Sequence, residues 1–387
     1  MQALCLYAGP AARERIARHG LTSADIAVIP GAAGGPKGLI LGPLDRFIFG
    51  DWLRRSRQPV DLVGASIGAW RMATACLDDP VAAFTRLEQD YIHQHLEPEA
   101  GRRLPSAARV TDSFARNLQL FFGGQEATLL AHPRFRLHVL ASRGRHLLGR
   151  EHRVATPLGY LGAYLSNGLS RKALGAWLER VIFSARADGG RGAPWPLPFG
   201  TQDFRSRQVA LTAENFQAAL RASCSIPFAL QAVHQIPGAP PGAYWDGGIT
   251  DYHLHLDYSA ALSGAGGDGS AAPSADSDAQ IPAPRTSIVL YPHFQRAVVP
   301  GWLDKAWKWR HAASHHLDHV LLLAPNPAWV QRLPGAKLPD RNDFVRYARD
   351  YPGRVKAWAQ AAAESQRLAD EFALWLDKPD MTLVKSL

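Results

Sequence analysis

Short apolar runs alternate with stretches of helical period along most of this chain. Asp25-Ile-Ala-Val-Ile-Pro30 reads as a buried strand that runs into the glycine-rich loop Gly31-Ala-Ala-Gly-Gly-Pro-Lys-Gly38. From Leu39 to Phe49 the apolar positions Leu41, Leu44, Phe47 and Ile48 recur at helical spacing. The loop therefore opens a helix, with Pro36 in its first turn, where a missing N–H costs nothing. Val60 to Val63 is a second buried run, Gly64-Ala-Ser-Ile-Gly68 follows at once, and Ala69, Trp70, Met72, Ala73 and Ala75 read as helix. Two strand–loop–helix units in succession predict an α/β fold with a mainly parallel central sheet. Ligands of such sheets bind at the carboxyl ends of the strands, where both loops lie.

The pattern continues in less regular form. Residues 11–19 read as a short amphipathic helix ended by Gly20, and residues 81–130 as mostly helical. Phe135 to Ser142 alternates like a strand, and so does Gln208 to Leu211. Thr212-Ala-Glu-Asn215 has helix-capping chemistry and leads a helix to Ser223. Ala243-Tyr-Trp245 is a short strand entering Asp246-Gly-Gly248. Thr286 to Tyr291 and His319 to Leu323 are further strands, Gly301 to His319 reads as a helix carrying Trp302, Trp307 and Trp309, and Val355 to Leu376 reads as one long helix. Residues 258–286 are rich in Ser, Ala, Gly, Pro and Asp and nearly free of aromatics, which predicts a disordered surface insertion. Strand-like sequence resumes after it, so the chain reads as one domain over residues 1–387, with its core at about 25–325 and a helical extension at 340–387.

Composition changes this picture little. A chain of 387 residues with 47% hydrophobic and 20% charged content can build an ordinary globular core. The net charge of +9 suits an anionic membrane surface, acidic substrates or nucleic acid, but no nucleic-acid motif accompanies it and solvated surface arginines explain it equally. Cys5, Cys76 and Cys224 are far apart and match no metal spacing, and Met1 to Pro10 lacks the basic start of a secretory signal. The expectation is a reduced, cytoplasmic protein. Val154 to Ser170 is charge-free, yet Pro157, three glycines and Asn167 make it a poor membrane span. Arg143, Arg145, Arg150, Arg153, Arg171 and Lys172 bracket it, which leaves a lid or membrane-facing surface and a buried helical hairpin both open.

Three separated pieces fit one chemistry. Gly64-Ala-Ser-Ile-Gly68 has the Gly-x-Ser-x-Gly pattern in the setting of a nucleophile elbow, strand then turn then helix. Ser66 would sit on a strained turn with its hydroxyl exposed to substrate, and Gly64 and Gly68 would let neighbouring backbone pass close. A serine hydroxyl needs a base, and Asp246 offers a carboxylate at another strand end. An oxyanion needs N–H donors; Pro36 has none, so the candidates are the amides of Gly34, Gly35, Lys37 and Ile67. Lys37 sits at a helix start, the unfavourable end for a cation, which points to an anionic ligand or a structural ion pair. His253, His255, His293 and the histidines of 311–319 follow Asp246, so chain order also permits a Ser-Asp-His triad. His253, His255 and Asp257 alternate as metal ligands on one strand face would, and His311, His315 and His319 are spaced for one helix face.

In this order, Gly34-Gly-Pro-Lys-Gly38, Gly64-Ala-Ser-Ile-Gly68 and Asp246-Gly-Gly248 resemble the motifs of the patatin-like phospholipases. Arg221-Ala-Ser-Cys-Ser-Ile-Pro227 resembles the Ala-Ser-x-x-x-Pro block that precedes the family's aspartate, and the likeness spans roughly residues 25–255. Ala33 stands where the family loop commonly has its first glycine. The resemblance implies a three-layer fold with helices on both sheet faces. It implies hydrolysis of acyl esters in lipids through an acyl-enzyme on Ser66, with Asp246 as base and no histidine, metal or cofactor. Gly34, Gly35, Lys37, Gly38 and Ile67 would form the oxyanion site, with Gly64, Gly68, Gly247 and Gly248 as motif glycines. A lipid or acyl ester would be the substrate, with peripheral contact to an anionic membrane and no nucleic acid. The competing readings are a non-catalytic lipid- or membrane-binding protein on the same fold and an esterase with a Ser-Asp-His triad.

Overall fold

The computed structural model describes residues 2–97, 99–102, 105–263 and 287–387. Ten strands form one sheet: β1 (Leu4–Ala8), β2 (Ile26–Gly31), β3 (Val60–Ala65), β4 (Phe135–Gly144), β5 (Leu178–Ala185), β6 (Ser206–Leu211), β7 (Tyr244–Asp246), β8 (Ile288–Pro292), β9 (Val320–Pro325) and β10 (Val384–Ser386). Their order is β10-β1-β9-β8-β2-β3-β4-β5-β6, and β7 pairs with β4 off this path. The run β9-β8-β2-β3-β4 is parallel throughout, while β1 on β9, β5 on β4 and β7 on β4 are antiparallel. Every residue of β8 and β9 is buried, as are all but one of β2 and of β3. Strands hidden on both faces require a layer on each side, so the molecule is a three-layer α/β fold with a mainly parallel sheet.

The main helices are α1 (Pro10–His19), α2 (Gly42–Gly50), α3 (Ile67–Ala75), α4 (Pro80–Ile92), α5 (Ala107–Phe122), α6 (Ala155–Leu169), α7 (Ala213–Cys224), α8 (Tyr258–Ser263), α9 (Tyr351–Glu364) and α10 (Gln366–Asp377). Several depart from the sequence expectation. Gly301 to His319 is not one helix but three 3₁₀ turns, Trp302–Asp304, Lys308–His311 and His315–Leu317. The buried Asp304 explains the break. Its carboxylate accepts from Asn167, Arg171 and Arg310, and its carbonyl bonds His311, so tertiary polar contacts set the backbone path. The expected long C-terminal helix is two, parted at Ser365, whose buried hydroxyl donates to the Ala362 carbonyl (2.6 Å). The start of the expected insertion, Tyr258–Ser263, is helical with Tyr258 fully buried, and 264–286 lies outside the described residues.

Three strands go beyond the expectation. β1 carries a plain apolar run. β5 opens Leu-Glu-Arg, which breaks the apolar pattern, yet Glu179 and Arg180 are buried because they are paired. Arg180 donates to both carboxylate oxygens of Asp251 and to Asp203, and Glu179 meets Arg143. β10 pairs parallel to β1 at the sheet edge. Glu371 of α10 also accepts from the Ala3 and Leu4 amides (2.8 Å), and Phe372 packs edge-on against Phe47 and Trp52. The C-terminal residues are thus woven into the sheet edge and the layer beneath it.

Adjacent strands β2, β3 and β4 carry the candidate site at one end of the sheet. The two helices leaving it are tied by a bidentate ion pair, in which Arg71 of α3 donates to both oxygens of Asp45 of α2 (2.7 Å each), with both side chains buried. Two parallel N–H···O bonds out of water fix the relative rotation of the helices. Asp45→Ala would strand the Arg71 charge, with an expected loss of about 3–5 kcal/mol. It should read as a lower urea midpoint at unchanged m-value; an unmoved midpoint would contradict this assignment.

Candidate active site

Ser66 stands between β3 and α3 at φ 56, ψ −129, a conformation non-glycine residues avoid. Strain of this kind costs on the order of 1–3 kcal/mol and persists only where the surroundings dictate it. Here β3 turns directly into α3 with no spare residue. A Cβ on Gly64 would overlap the Ala69 backbone, and one on Gly68 would overlap the Gly31 carbonyl at the end of β2. The Ser66 N–H donates to Ser223 Oγ (2.9 Å), which donates to the Leu140 carbonyl of β4 (2.6 Å). Ser223 of α7 therefore braces the strained turn, a role the sequence motif around it does not reveal.

The Ser66 hydroxyl donates to Asp246 Oδ2 at 2.6 Å. Asp246 ends β7 opposite Ala141 of β4, and β4 neighbours β3, so the sheet register brings together residues 180 positions apart. The other carboxylate oxygen accepts from the Gly248 N–H (2.7 Å), and the Asp246 N–H donates to the Ser225 carbonyl (2.8 Å). Gly247 and Gly248 follow in a 3₁₀ turn that the Asp246 side chain caps. Ser66 and Asp246 are only 4% and 5% exposed. Burial pushes the Asp246 carboxyl above its ordinary 3.8, while Arg341, the Ser66 hydroxyl, the Gly248 N–H and Lys305 oppose the rise.

The glycine loop lies against the elbow. Ala33 donates its N–H to the Tyr252 carbonyl (2.9 Å) and is not an oxyanion donor; its φ is negative, so alanine is unstrained there. Gly35–Leu41 is a 3₁₀ helix rather than the first turn of a helix starting at Leu39, and α2 begins at Gly42. Lys37 stands in the first turn of that 3₁₀ helix, with Gly34 as its N-cap. Gly34 and Gly35 precede the first bonded amide, and Ile67 is the first residue of α3, so none has an intrahelical acceptor. Gly38 faces Ile67 and Arg71.

Among the described residues, the Lys37 side chain forms no ion pair; its Nζ lies over the Phe294 ring at 5.1 Å. Two further cations reach the site with no motif to announce them. Lys305 is exposed at one side and rests over the Tyr252 ring (3.9 Å) on the other; partial desolvation there, helped by Arg341 and Lys37, pushes its pKa down to about 8. Arg341 comes from the C-terminal segment, against Gly35. It lines a cleft of about 240 Å³ with Asp246, Tyr252, Trp302 and Pro227. A second cleft, about 330 Å³, lies beside Ile67 and is lined by Leu39, Phe84, Leu87 and Tyr91 with Asp45 and Arg71 deeper in. Ser66 thus has an apolar cleft on its Ile67 side and a cationic, aromatic one on its Asp246 side.

The histidines do not complete a triad. His253 Nδ1 bonds the Ala297 carbonyl, His255 the Val298 carbonyl and Ser314, and His293 the Gln295 carbonyl; among the described residues none bonds Ser66 or Asp246. Burial holds them neutral, with pKa values down to about 3 for His293 and about 4 for His255. His253, His255 and Asp257 do not share a strand face, because the chain there is irregular and each side chain has its own partner. His311, His315 and His319 likewise share no helix. Asp257 instead brings its carboxylate near His315 and His316, all ligand atoms within 4.8 Å of one another, at the partly exposed surface. All three cysteines are free and buried. No protein-family model matches the chain, and no curated protein matches it in sequence.

The raised pKa of Asp246 has a thermodynamic sign. The folded state binds its proton more tightly than the unfolded chain, so the carboxylate lowers stability above the folded-state pKa, and this penalty disappears below the unfolded value. Asp246→Asn keeps the acceptor for Gly248 and removes the charge. It should melt higher than the native protein at neutral pH, with the gap closing as pH falls below the ordinary Asp range; thermal melts across pH check this, and a gap that widens on acidification would contradict it.

Proposed function

We propose that the protein is a serine hydrolase of carboxylic esters, of the patatin-like kind, cleaving acyl esters of lipids. The observation that carries this reading is the 2.6 Å hydrogen bond from Ser66 Oγ to Asp246 Oδ2, made by a serine held in a strained turn at a helix N-terminus. A hydroxyl so held needs only one proton removed to become a nucleophile, and the group that would take it is already bonded to it. The order of the glycine loop, elbow and Asp-Gly-Gly motifs supports the patatin-like assignment.

In the proposed reaction Ser66 Oγ attacks the ester carbonyl carbon as its proton passes to Asp246. The carbonyl oxygen becomes an oxyanion held by amides drawn from Gly34, Gly35, Lys37 and Ile67, at the positive end of α3. Collapse breaks the ester C–O bond, and the leaving alkoxide takes the proton from Asp246. Water then attacks the acyl-enzyme, gives a proton to Asp246, and the acid leaves as Ser66 regains its proton. An ordinary aspartate is too weak a base for this exchange. The raised pKa of Asp246 narrows the mismatch, and activity should rise as pH rises through that value. The apolar cleft beside Ile67 suits the acyl chain, and Lys305 and Arg341 favour an anionic group on the alcohol side.

Ser66→Ala should lower ester turnover about 10³-fold or more and abolish labelling by a fluorophosphonate. Turnover that survives the substitution rejects the proposal. Leu87→Trp narrows the apolar cleft without touching the dyad. Its kcat/KM for long acyl chains should drop while short-chain esters are spared; an equal loss on both would move the acyl chain elsewhere.

A further inference from the structure

The outer face of α6 is apolar where a surface helix should be polar. Leu158, Leu161, Leu165 and Leu169 are 56%, 54%, 61% and 88% exposed, and Val154 just before the helix is 58% exposed. At about 3.6 residues per turn these five fall within an arc of roughly 80°. The opposite face, with Thr156, Gly159, Tyr160, Ala163 and Asn167, is buried. Tyr160 there packs on Trp245 of β7, one residue from Asp246, and Asn167 donates to Asp304. The helix is therefore fixed to the site by one side and presents leucine to solvent on the other.

The patch extends beyond the helix. Leu147 lies beside Gly159 on one flank. On the other, Phe228 meets Tyr160 (6.0 Å between rings), and Trp309 stacks on Trp307, which packs on Tyr164. Phe228 is 63% exposed and sits at φ 68, a conformation costly for an aromatic residue that buries little in return. Thirteen large apolar side chains are exposed among the described residues, and eight belong to this one surface: Leu147, Val154, the four leucines, Phe228 and Trp309. A cluster on that scale marks an interaction face rather than ordinary surface.

Charge selects the partner. Arg150, Arg153 and Lys172 are exposed at the two ends of α6, Lys308 lies beside Trp309, and none of the four forms an ion pair among the described residues. The other basic residues of the bracket are engaged: Arg143 with Glu179, Arg145 with the Gly175 carbonyl, Arg171 with Asp251 and Asp304. Glu151 is the one acid between Arg143 and Lys172, and it accepts from the Ala232 amide. Apolar side chains ringed by free cations match a bilayer surface, where leucine and aromatic groups enter the acyl boundary and cations meet lipid phosphates. No helix among the described residues is long and apolar enough to cross a membrane, so the contact would lie along the surface.

We infer that the leucine face of α6, flanked by Phe228 and Trp309 and ringed by Arg150, Arg153 and Lys172, docks on an anionic lipid bilayer. The inference is a statement about binding and holds whether or not the ester hydrolase reading does. Its orientation would bring Trp245, on which Tyr160 of the same helix packs, and with it the neighbouring Asp246 toward the lipid.

The test is co-sedimentation of the full chain with vesicles of phosphatidylcholine alone and of phosphatidylcholine mixed with phosphatidylglycerol. The protein should pellet with the anionic vesicles, less with the neutral ones, and less again at high salt. Leu158→Glu/Leu165→Glu should weaken partitioning about tenfold or more, with an unchanged melting temperature because both side chains already face water. Arg153→Ala/Lys172→Ala should weaken binding to anionic vesicles only. A native protein that stays in the supernatant with both vesicle types overturns the inference, as does a leucine variant that binds like the native chain. So does a native dimer that the glutamates convert to a monomer, since the face would then belong to a second copy. The native-protein measurement needs no substitution, so a misfolded variant does not leave the question open.

Discussion

The carboxylate of Asp246 has lost almost all its water, and much of the architecture around it follows from that constraint. A buried charge needs fixed partners. One oxygen takes the Ser66 hydroxyl, the other the Gly248 amide, and Arg341 and Lys305 supply positive potential from the cleft side. These partners come from four separate stretches of chain. Removing any of them would return a desolvation cost to the carboxylate. The compensation is partial, and burial leaves its pKa raised.

The sheet supplies the geometry that makes this possible. β2, β3 and β4 end together, so the glycine loop, Ser66 and the β7 extension that bears Asp246 arise side by side. The strain at Ser66 is held from three directions: by the Gly68–Gly31 approach, by Ser223 reaching back from α7, and by the Asp45–Arg71 pair that locks α3 against α2. Helix starts also leave backbone amides without intrahelical partners, and the first residues of α3 and of the Gly35–Leu41 turn stand at this same edge. α6 lies over β7 and links this interior site to the apolar outer surface.

Much of this was legible in the chain, for reasons that differ by element. Ile26–Gly31, Val60–Ala65 and Val320–Pro325 are nearly pure apolar runs because both their faces are buried, so their strand character needs no tertiary knowledge. Ser66 and Asp246 were found because glycine spacing around them is dictated by backbone approach, a local requirement that leaves a local trace. Arg341 and Lys305 left none. Each is an ordinary surface-type residue made part of the site by where a distant segment returns. Ser223 was visible as part of a motif but not as a brace. The segment 301–319 misled because Trp302, Trp307 and Trp309 say nothing of Asp304, whose buried contacts override local preference. β5 was hidden by Glu179 and Arg180, charges that read as surface until their partners are known.

What the sequence determined by itself was whatever depends on neighbours along the chain: the alternation of strand and helix, the tight turns at Gly31–Gly38 and Gly64–Gly68, and the chemistry of a serine and an aspartate set at strand ends. What only the tertiary structure decided depends on neighbours across it. The choice of Asp246 over any histidine as the partner of Ser66, the cations at the cleft and the leucine face of α6 are all of this kind. Local spacing fixes backbone shape. Burial, charge pairing and exposure are properties of the assembled layers, and a residue acquires them only when the sheet brings remote segments to the same edge.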